Sequence, residues 1–142
     1  MPHIVIEYSS NLHDRIGLNS LMETLHETAI ATGVFPRGGA RTRACERTRY
    51  RIADGHPDNG FVHVVLRIGH GRDPQTKQRA GQTVFDALCA HLKPLYDAAP
   101  LAISFEIQEI DPVLNFKQNN LHEYLKARAE GRHAPEPTKA TQ

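Results

Sequence analysis

Apolar and polar positions along this chain change period several times, and each change marks an element. The run His3-Ile4-Val5-Ile6-Glu7-Tyr8 is short and largely apolar, as a strand is. Leu21, Leu25 and Ala29, joined by Met22 and Ile30, then recur at helical spacing. Asn19 or Ser20 is suited to cap that helix, and Ser20 with Glu23 has capping-box spacing; Gly33 supplies a stop and Pro36 closes the exit. From Ala40 to Ala53 the chain is polar but β-patterned, ending at the Asp54-Gly55 turn. Phe61 to Ile68 reads as a buried strand. Asp73 and Pro74 follow as N-cap and first residue of a second helix, with Val84, Ala87, Leu88, Leu92 and Leu95 on one face. Pro94 interrupts this face; proline in a helix interior costs about 3 kcal/mol, which predicts an end or a kink there. Leu101, Ile103, Phe105 and Ile107 then alternate with Ala102, Ser104, Glu106 and Gln108, as in a half-buried strand.

The order is β-α-β-β-α-β, an α+β fold in one domain over residues 1–130. His3-Ile4-Val5-Ile6 and His63-Val64-Val65-Leu66 share a pattern, and each precedes an amphipathic helix, so the chain reads as two β-α-β units. Right-handed crossovers make the strands on either side of each helix parallel. A four-stranded sheet with both helices on one face leaves the other face needing cover, which predicts an oligomer. A short helix from Leu121 to Glu130 follows. The tail at 131–142 holds Pro135 and Pro137 and few apolar groups, a composition that predicts disorder.

Composition narrows the function classes. Hydrophobic residues make up 39% and charged residues 23%, and the formal net charge is +1, which argues against general nucleic-acid or membrane electrostatics. No apolar stretch is long enough to span a bilayer, and no signal peptide opens the chain. Cys45 and Cys89 are too few for a disulfide framework, so a cytoplasmic location is expected.

The candidate chemistry begins at Pro2. Initiator methionine is normally trimmed before a small residue, which would leave a secondary amine at the start of a strand. An α-amino group has a reference pKa of about 7.7–8.0, lowered further by burial or nearby cations. Arg41, Arg43, Arg47, Arg49 and Arg51 occupy odd positions, so one regular strand would place all five on one face, meeting water, carboxylates or an anionic ligand. Arg72 follows Ile68-Gly69-His70-Gly71; in such a turn a guanidinium grips a carboxylate or bonds a carbonyl or neighbouring acid. The nine histidines lack zinc spacing, no phosphate loop is present, and Ser104 lacks a nucleophile elbow, so neither metal nor cofactor is expected.

These residues together resemble the tautomerase superfamily and, within it, the 5-carboxymethyl-2-hydroxymuconate isomerases. The similar stretches are Pro2-His3-Ile4-Val5, Ala31-Thr32-Gly33-Val34-Phe35-Pro36, Ala53-Asp54-Gly55, Phe61-Val62-His63, Ile68-Gly69-His70-Gly71-Arg72, Ser104-Phe105-Glu106-Ile107 and Leu114-Asn115-Phe116-Lys117-Gln118-Asn119-Asn120. The last is the most specific. The resemblance implies a homotrimer with active sites near subunit boundaries, a small unsaturated di- or tricarboxylate as substrate, and a step in homoprotocatechuate breakdown. It also implies Pro2 as catalytic general acid/base and Arg41 and Arg72 as substrate-binding residues. Cys45 to Tyr50, Pro94 and the tail beyond Lys126 depart from the family pattern. A generic keto-enol tautomerase, a non-catalytic trimeric binding module and a nucleic-acid binder using the arginine stripe are the competing readings. Turnover separates the first two from the leading one, and salt-dependent binding identifies the third.

Overall fold

The computed structural model describes residues 1–131. Its elements are β1 (His3–Ser9), α1 (Leu18–Ala31), β2 (Arg41–Arg47), β3 (Gly60–Ile68), α2 (Pro74–Ala98), β4 (Leu101–Glu109) and α3 (Leu121–Ala129). The sheet order is β2-β1-β3-β4. β1 pairs with β2, and β3 with β4, in parallel, as the crossover rule requires; the two units meet through antiparallel β1 and β3, with Val5 opposite Val65.

Period-two alternation fixes which face is covered. Ile4, Ile6 and Tyr8 of β1 and Val62, Val64, Leu66 and Ile68 of β3 are buried beneath the helices. Against them lie Leu21, Leu25 and Ala29 of α1 and Val84, Leu88 and Leu92 of α2. Each such Leu or Ile stabilises the fold by about 1.5–3 kcal/mol relative to exposure. Odd positions such as His3, Glu7 and His63 are left on the face without helices. α3 packs instead against a 3₁₀ turn at Arg37–Gly39, where Asn119 Nδ2 donates to the Gly38 carbonyl at 2.9 Å.

Several expectations are corrected. The N-cap of α1 is Gly17, at φ 61° and with no side-chain cap, and the Leu21 amide donates to its carbonyl at 2.9 Å. The left-handed turn starts the helix earlier, so Ser20 and Glu23 lie within it and form no capping box. α2 runs through Pro94 to Ala98. Pro94 faces solvent, where water meets the carbonyl that loses its partner, while Leu95 beside it is buried. The arginine stripe is also shortened. Arg41, Arg43 and Arg47 lie on β2, but that strand ends where β1 ends, and Arg49 and Arg51 fall outside it. The Arg51 guanidinium folds over the Asp54-Gly55 turn instead: a Cβ at Gly55 would lie 2.6 Å from its Nη1.

Three local expectations hold, at Asp73, at Gly33 and at the two cysteines. Asp73 caps α2, its carboxylate accepting from the Thr76 amide at 2.8 Å ahead of Pro74. Gly33 ends α1 at φ 76°. Both cysteines are free thiols. Among the described residues no helix is long and apolar enough to cross a membrane, and no three His, Cys, Asp or Glu side chains group as metal ligands. The tail expected to be disordered lies, apart from Gly131, outside the described residues.

Candidate active site

The start of β1 delivers the chain terminus into a pocket of about 310 Å³ whose lining includes Met1, His3, Arg41, Gly69, Phe116 and Lys117. Pro2 is buried, and its carbonyl accepts from the Arg41 amide at 3.0 Å, extending the β1–β2 pairing to the terminus. This backbone bond holds the amino end of the chain beside the first residue of β2.

Arg41 reaches into the same space. Its Nη1 lies 3.1 Å from the Met1 Sδ and 3.4 Å from His3 Nε2. Arg72 approaches from the loop between β3 and α2. Its Nη1 donates to the Gly69 carbonyl and its Nη2 to the Val34 carbonyl, each at 3.2 Å, and the guanidinium lies 5.0 Å from the centre of the Phe35 ring. Of the roles open to a loop arginine, carbonyl bonding is the one seen. Two of its five N–H donors are engaged this way, so others remain to meet a ligand. Gly69 separates Arg72 from the terminus: a Cβ there would lie 3.8 Å from Arg72 Nη1 and 4.0 Å from the Met1 nitrogen. Pro2, Arg41 and Arg72 therefore converge, although they belong to three separate parts of the sequence.

Electrostatics follow from this crowding. The amino group at Met1 is held below its ordinary value, first by burial and then by the charges of Arg72, Lys117 and Arg41. His3 is likewise pushed down by burial, then by Arg43, Arg41 and Arg67. An amine poised toward its neutral form beside guanidinium donors has the equipment to move a proton on an anionic molecule.

Lys117 and His3 were not singled out as site residues by pattern alone. Lys117 lies within Leu114–Asn120, whose letters carried the most specific family resemblance, and that was the available signal. His3 had none, because its role depends on standing opposite Arg41 in the sheet. A larger groove of about 600 Å³ runs between α2 and β4, lined by Phe85, Cys89, Tyr96 and Ile103 among others. Despite its size it is a poor candidate for the chemistry, because it is mainly apolar and no set of cations converges on it.

Comparison with known proteins agrees with this geometry. The family model for 5-carboxymethyl-2-hydroxymuconate isomerase (CHMI) matches residues 2–125. A 5-carboxymethyl-2-hydroxymuconate Delta-isomerase of Escherichia coli is 40% identical over 126 residues, covering 89% of this chain and 100% of its own length. The crystal structure of a 5-carboxymethyl-2-hydroxymuconate isomerase from Deinococcus radiodurans R1 superposes with a TM-score of 0.81 at 34% identity, over 86% of this chain and 92% of that one. A fused 4-OT symmetric trimer, at 13% identity and a TM-score of 0.63 over 83% of this chain and 94% of that one, shares the fold alone. The matched span contains Pro2, Arg41, Arg72 and the lysine-bearing loop, and the chain belongs to the 5-carboxymethyl-2-hydroxymuconate isomerase family.

Proposed function

We propose that this protein isomerises 5-carboxymethyl-2-hydroxymuconate to its conjugated ketone without metal or cofactor, with the amine of Pro2 as proton carrier after removal of Met1. The observation that carries the reading is the convergence of Arg72, Lys117 and Arg41 on the amino terminus, two of them, Arg41 and Lys117, lining the pocket it enters. Those cations favour a neutral amine and supply donors for carboxylates. The neutral Pro2 nitrogen takes the enol O–H proton; the O–H electron pair forms the carbonyl π bond as the double bonds shift. The displaced π electrons then take a proton from the prolinium at a carbon further along the system. The O–H and new C–H bonds balance, and the amine is regenerated. Acid–base transfer of this kind contributes about 10²–10⁴-fold. Arg41 and Arg72 hold carboxylates and stabilise the dienolate that forms between the two transfers.

The family resemblance supports a step in homoprotocatechuate degradation, and the two free thiols suit the cytoplasm. A homotrimer fits the exposed apolar surface: Val113, Leu114 and Phe116 are 78%, 74% and 89% exposed, and the α2–β4 groove offers apolar surface to a neighbouring copy. Sedimentation analysis should give a trimer; a monomer at micromolar concentration would remove that element.

The deciding assay follows ultraviolet absorbance of 5-carboxymethyl-2-hydroxymuconate with untagged protein whose mass shows Met1 absent. Rapid conversion is expected, with Pro2→Ala keeping part of the rate through its primary amine. A chain verified to retain Met1 should be inactive, and full activity in it would refute the proline mechanism. Turnover of phenylpyruvate with no turnover of the muconate would favour the generic tautomerase; tight binding with no turnover would favour a binding module.

A further inference from the structure

His3 sits between guanidiniums with no acid to balance them. Arg41 is its register partner on β2 and Arg67 its partner on β3, and both of its ring nitrogens face arginines. Arg43 Nη1 lies 3.1 Å from Nδ1, and Arg41 Nη1 lies 3.4 Å from Nε2. Among the described residues, none of Arg41, Arg43 and Arg67 forms an ion pair with a carboxylate; on this face Glu7 goes to Arg47.

The two contacts cannot both be hydrogen bonds to one neutral ring. A guanidinium only donates, and a neutral imidazole has a single acceptor nitrogen. The shorter contact is that of Arg43, so Nδ1 accepts there and Nε2 carries the hydrogen. A doubly protonated ring would accept from neither arginine and would add a cation to three already present. With the proton on Nε2, that N–H and Arg41 Nη1 become two donors side by side at the wall of the pocket. The partner Arg41 has there is the Met1 thioether, a weak acceptor on the residue proposed to be trimmed. An anionic oxygen is the chemistry that satisfies two convergent donors in a positive field.

We propose that neutral His3 is a substrate-binding residue, donating from Nε2–H beside Arg41 to one carboxylate oxygen, and that Arg43 is the positioning residue that fixes this tautomer through Nδ1. A second donor at the Arg41 carboxylate subsite fixes the rotation of that carboxylate, which a single guanidinium N–H leaves free. The inference rests on the functional reading above only in taking the anion to be the substrate's.

The test has two arms. In histidine labelled with nitrogen-15, with His3 assigned through a His3→Gln variant, the ring should show a protonated Nε2 and an unprotonated Nδ1 at neutral pH. The Nε2 signals should shift on saturation with muconate, which has two carboxylates and no enol to react. Arg43→Leu should mix the tautomers. A protonated Nδ1, a cationic ring, or signals unmoved by bound muconate would overturn the proposal. In turnover, His3→Leu should raise KM for 5-carboxymethyl-2-hydroxymuconate about tenfold, as for one charge-assisted hydrogen bond, with little change in kcat. His3→Gln, whose amide keeps both a donor and an acceptor, should recover most of that loss. A folded His3→Leu protein with unchanged KM would overturn the assignment. If native protein fails to turn over the compound while the tautomer and the muconate shift are as described, the isomerase reading fails and the His3 site stands.

Discussion

Arg72 holds two loops together as well as standing near the amino terminus, so replacing it should cost stability that is measurable without any substrate. Its guanidinium bridges the Gly69 carbonyl, at the end of β3, to the Val34 carbonyl, between α1 and the 3₁₀ turn, while lying over Phe35. The two hydrogen bonds are partly buried and contribute about 1 kcal/mol each, and the cation–π contact adds roughly 0.5–1 kcal/mol. Arg72→Ala should therefore lose about 2.5–3 kcal/mol. With a urea slope near the middle of its usual range, about 1.5–2 kcal/mol per molar, the midpoint falls by about 1.5 M. Arg72→Lys keeps the charge but not the two-pronged geometry, and should recover no more than about half of this. The assay is equilibrium urea unfolding followed by far-ultraviolet circular dichroism at fixed protein concentration, since association would shift the midpoint. A midpoint for Arg72→Ala within about 0.3 M of the native protein, with an unchanged slope, would show that the loop bridge contributes little. Any loss of turnover would then report substrate contact alone.

Three further outcomes test the packing and the charges. Gly60→Ala places a Cβ 2.7 Å from Leu12 Cδ2 and 3.1 Å from its Cγ, at a fully buried leucine, and overpacking of this kind costs about 1–3 kcal/mol. Thermal unfolding should show a clear fall in Tm, and an unchanged value would mean Leu12 shifts freely. Pro94→Ala should raise the urea midpoint, because it restores the amide that α2 lacks at an exposed position; the added freedom of the unfolded chain offsets about 0.4–1 kcal/mol of the gain. A lower midpoint would show that the proline is needed there. The pKa of His3 is depressed in the folded state, so at mildly acid pH the unfolded chain binds more protons; its contribution is present above the ordinary histidine value of 6.5 and is lost as pH falls toward the folded value. Urea midpoints measured from pH 8 downward should drop in that window and flatten in His3→Gln, and identical profiles for the two proteins would refute the assignment.

Elements whose signal is local were legible. The Asp73-Pro74 start of α2, the stop at Gly33 and the alternation of β4 each rest on residues within a few positions of one another. Errors arose where distant contacts overrode a local rule. Gly17 begins α1 through a left-handed turn that bears no capping side chain, and Ser20 and Glu23 imitate a cap one turn later. Pro94 is carried by the burial of Leu95. β2 ends because β1 offers no further partner, which periodicity in 40–53 cannot reveal. The site shows the same division. Pro2, Arg41 and Arg72 are candidates recognisable by type and family likeness, whereas His3 and Lys117 become candidates only through strand register and through a loop over a hundred residues away in sequence.

The repeated β-α-β unit helps explain why the candidate site lies at one end of the sheet. An offset of sixty residues carries His3-Ile4-Val5-Ile6 onto His63-Val64-Val65-Leu66, and antiparallel pairing of β1 with β3 puts the two histidines at opposite ends of the open face. Their neighbours differ in sign. His3 lies among Arg41, Arg43 and Arg67; His63 pairs in register with Glu7 and Ser104, its Nδ1 2.6 Å from Ser104 Oγ and its Nε2 3.4 Å from Glu106. The two ends thus differ, with arginines around His3 and a hydroxyl and a carboxylate around His63, a difference hidden by a net charge of +1. The two strands also differ in how they are entered: β1 follows Met1 and Pro2, and β3 follows the turn ending at Asn59. On the proposed reading, an anionic substrate is drawn to the arginine-rich end, which is also where the amino terminus lies. The repeated strand–helix–strand pattern therefore accounts for the scaffold, while the difference in neighbouring charge accounts for the candidate site lying at the β1 end.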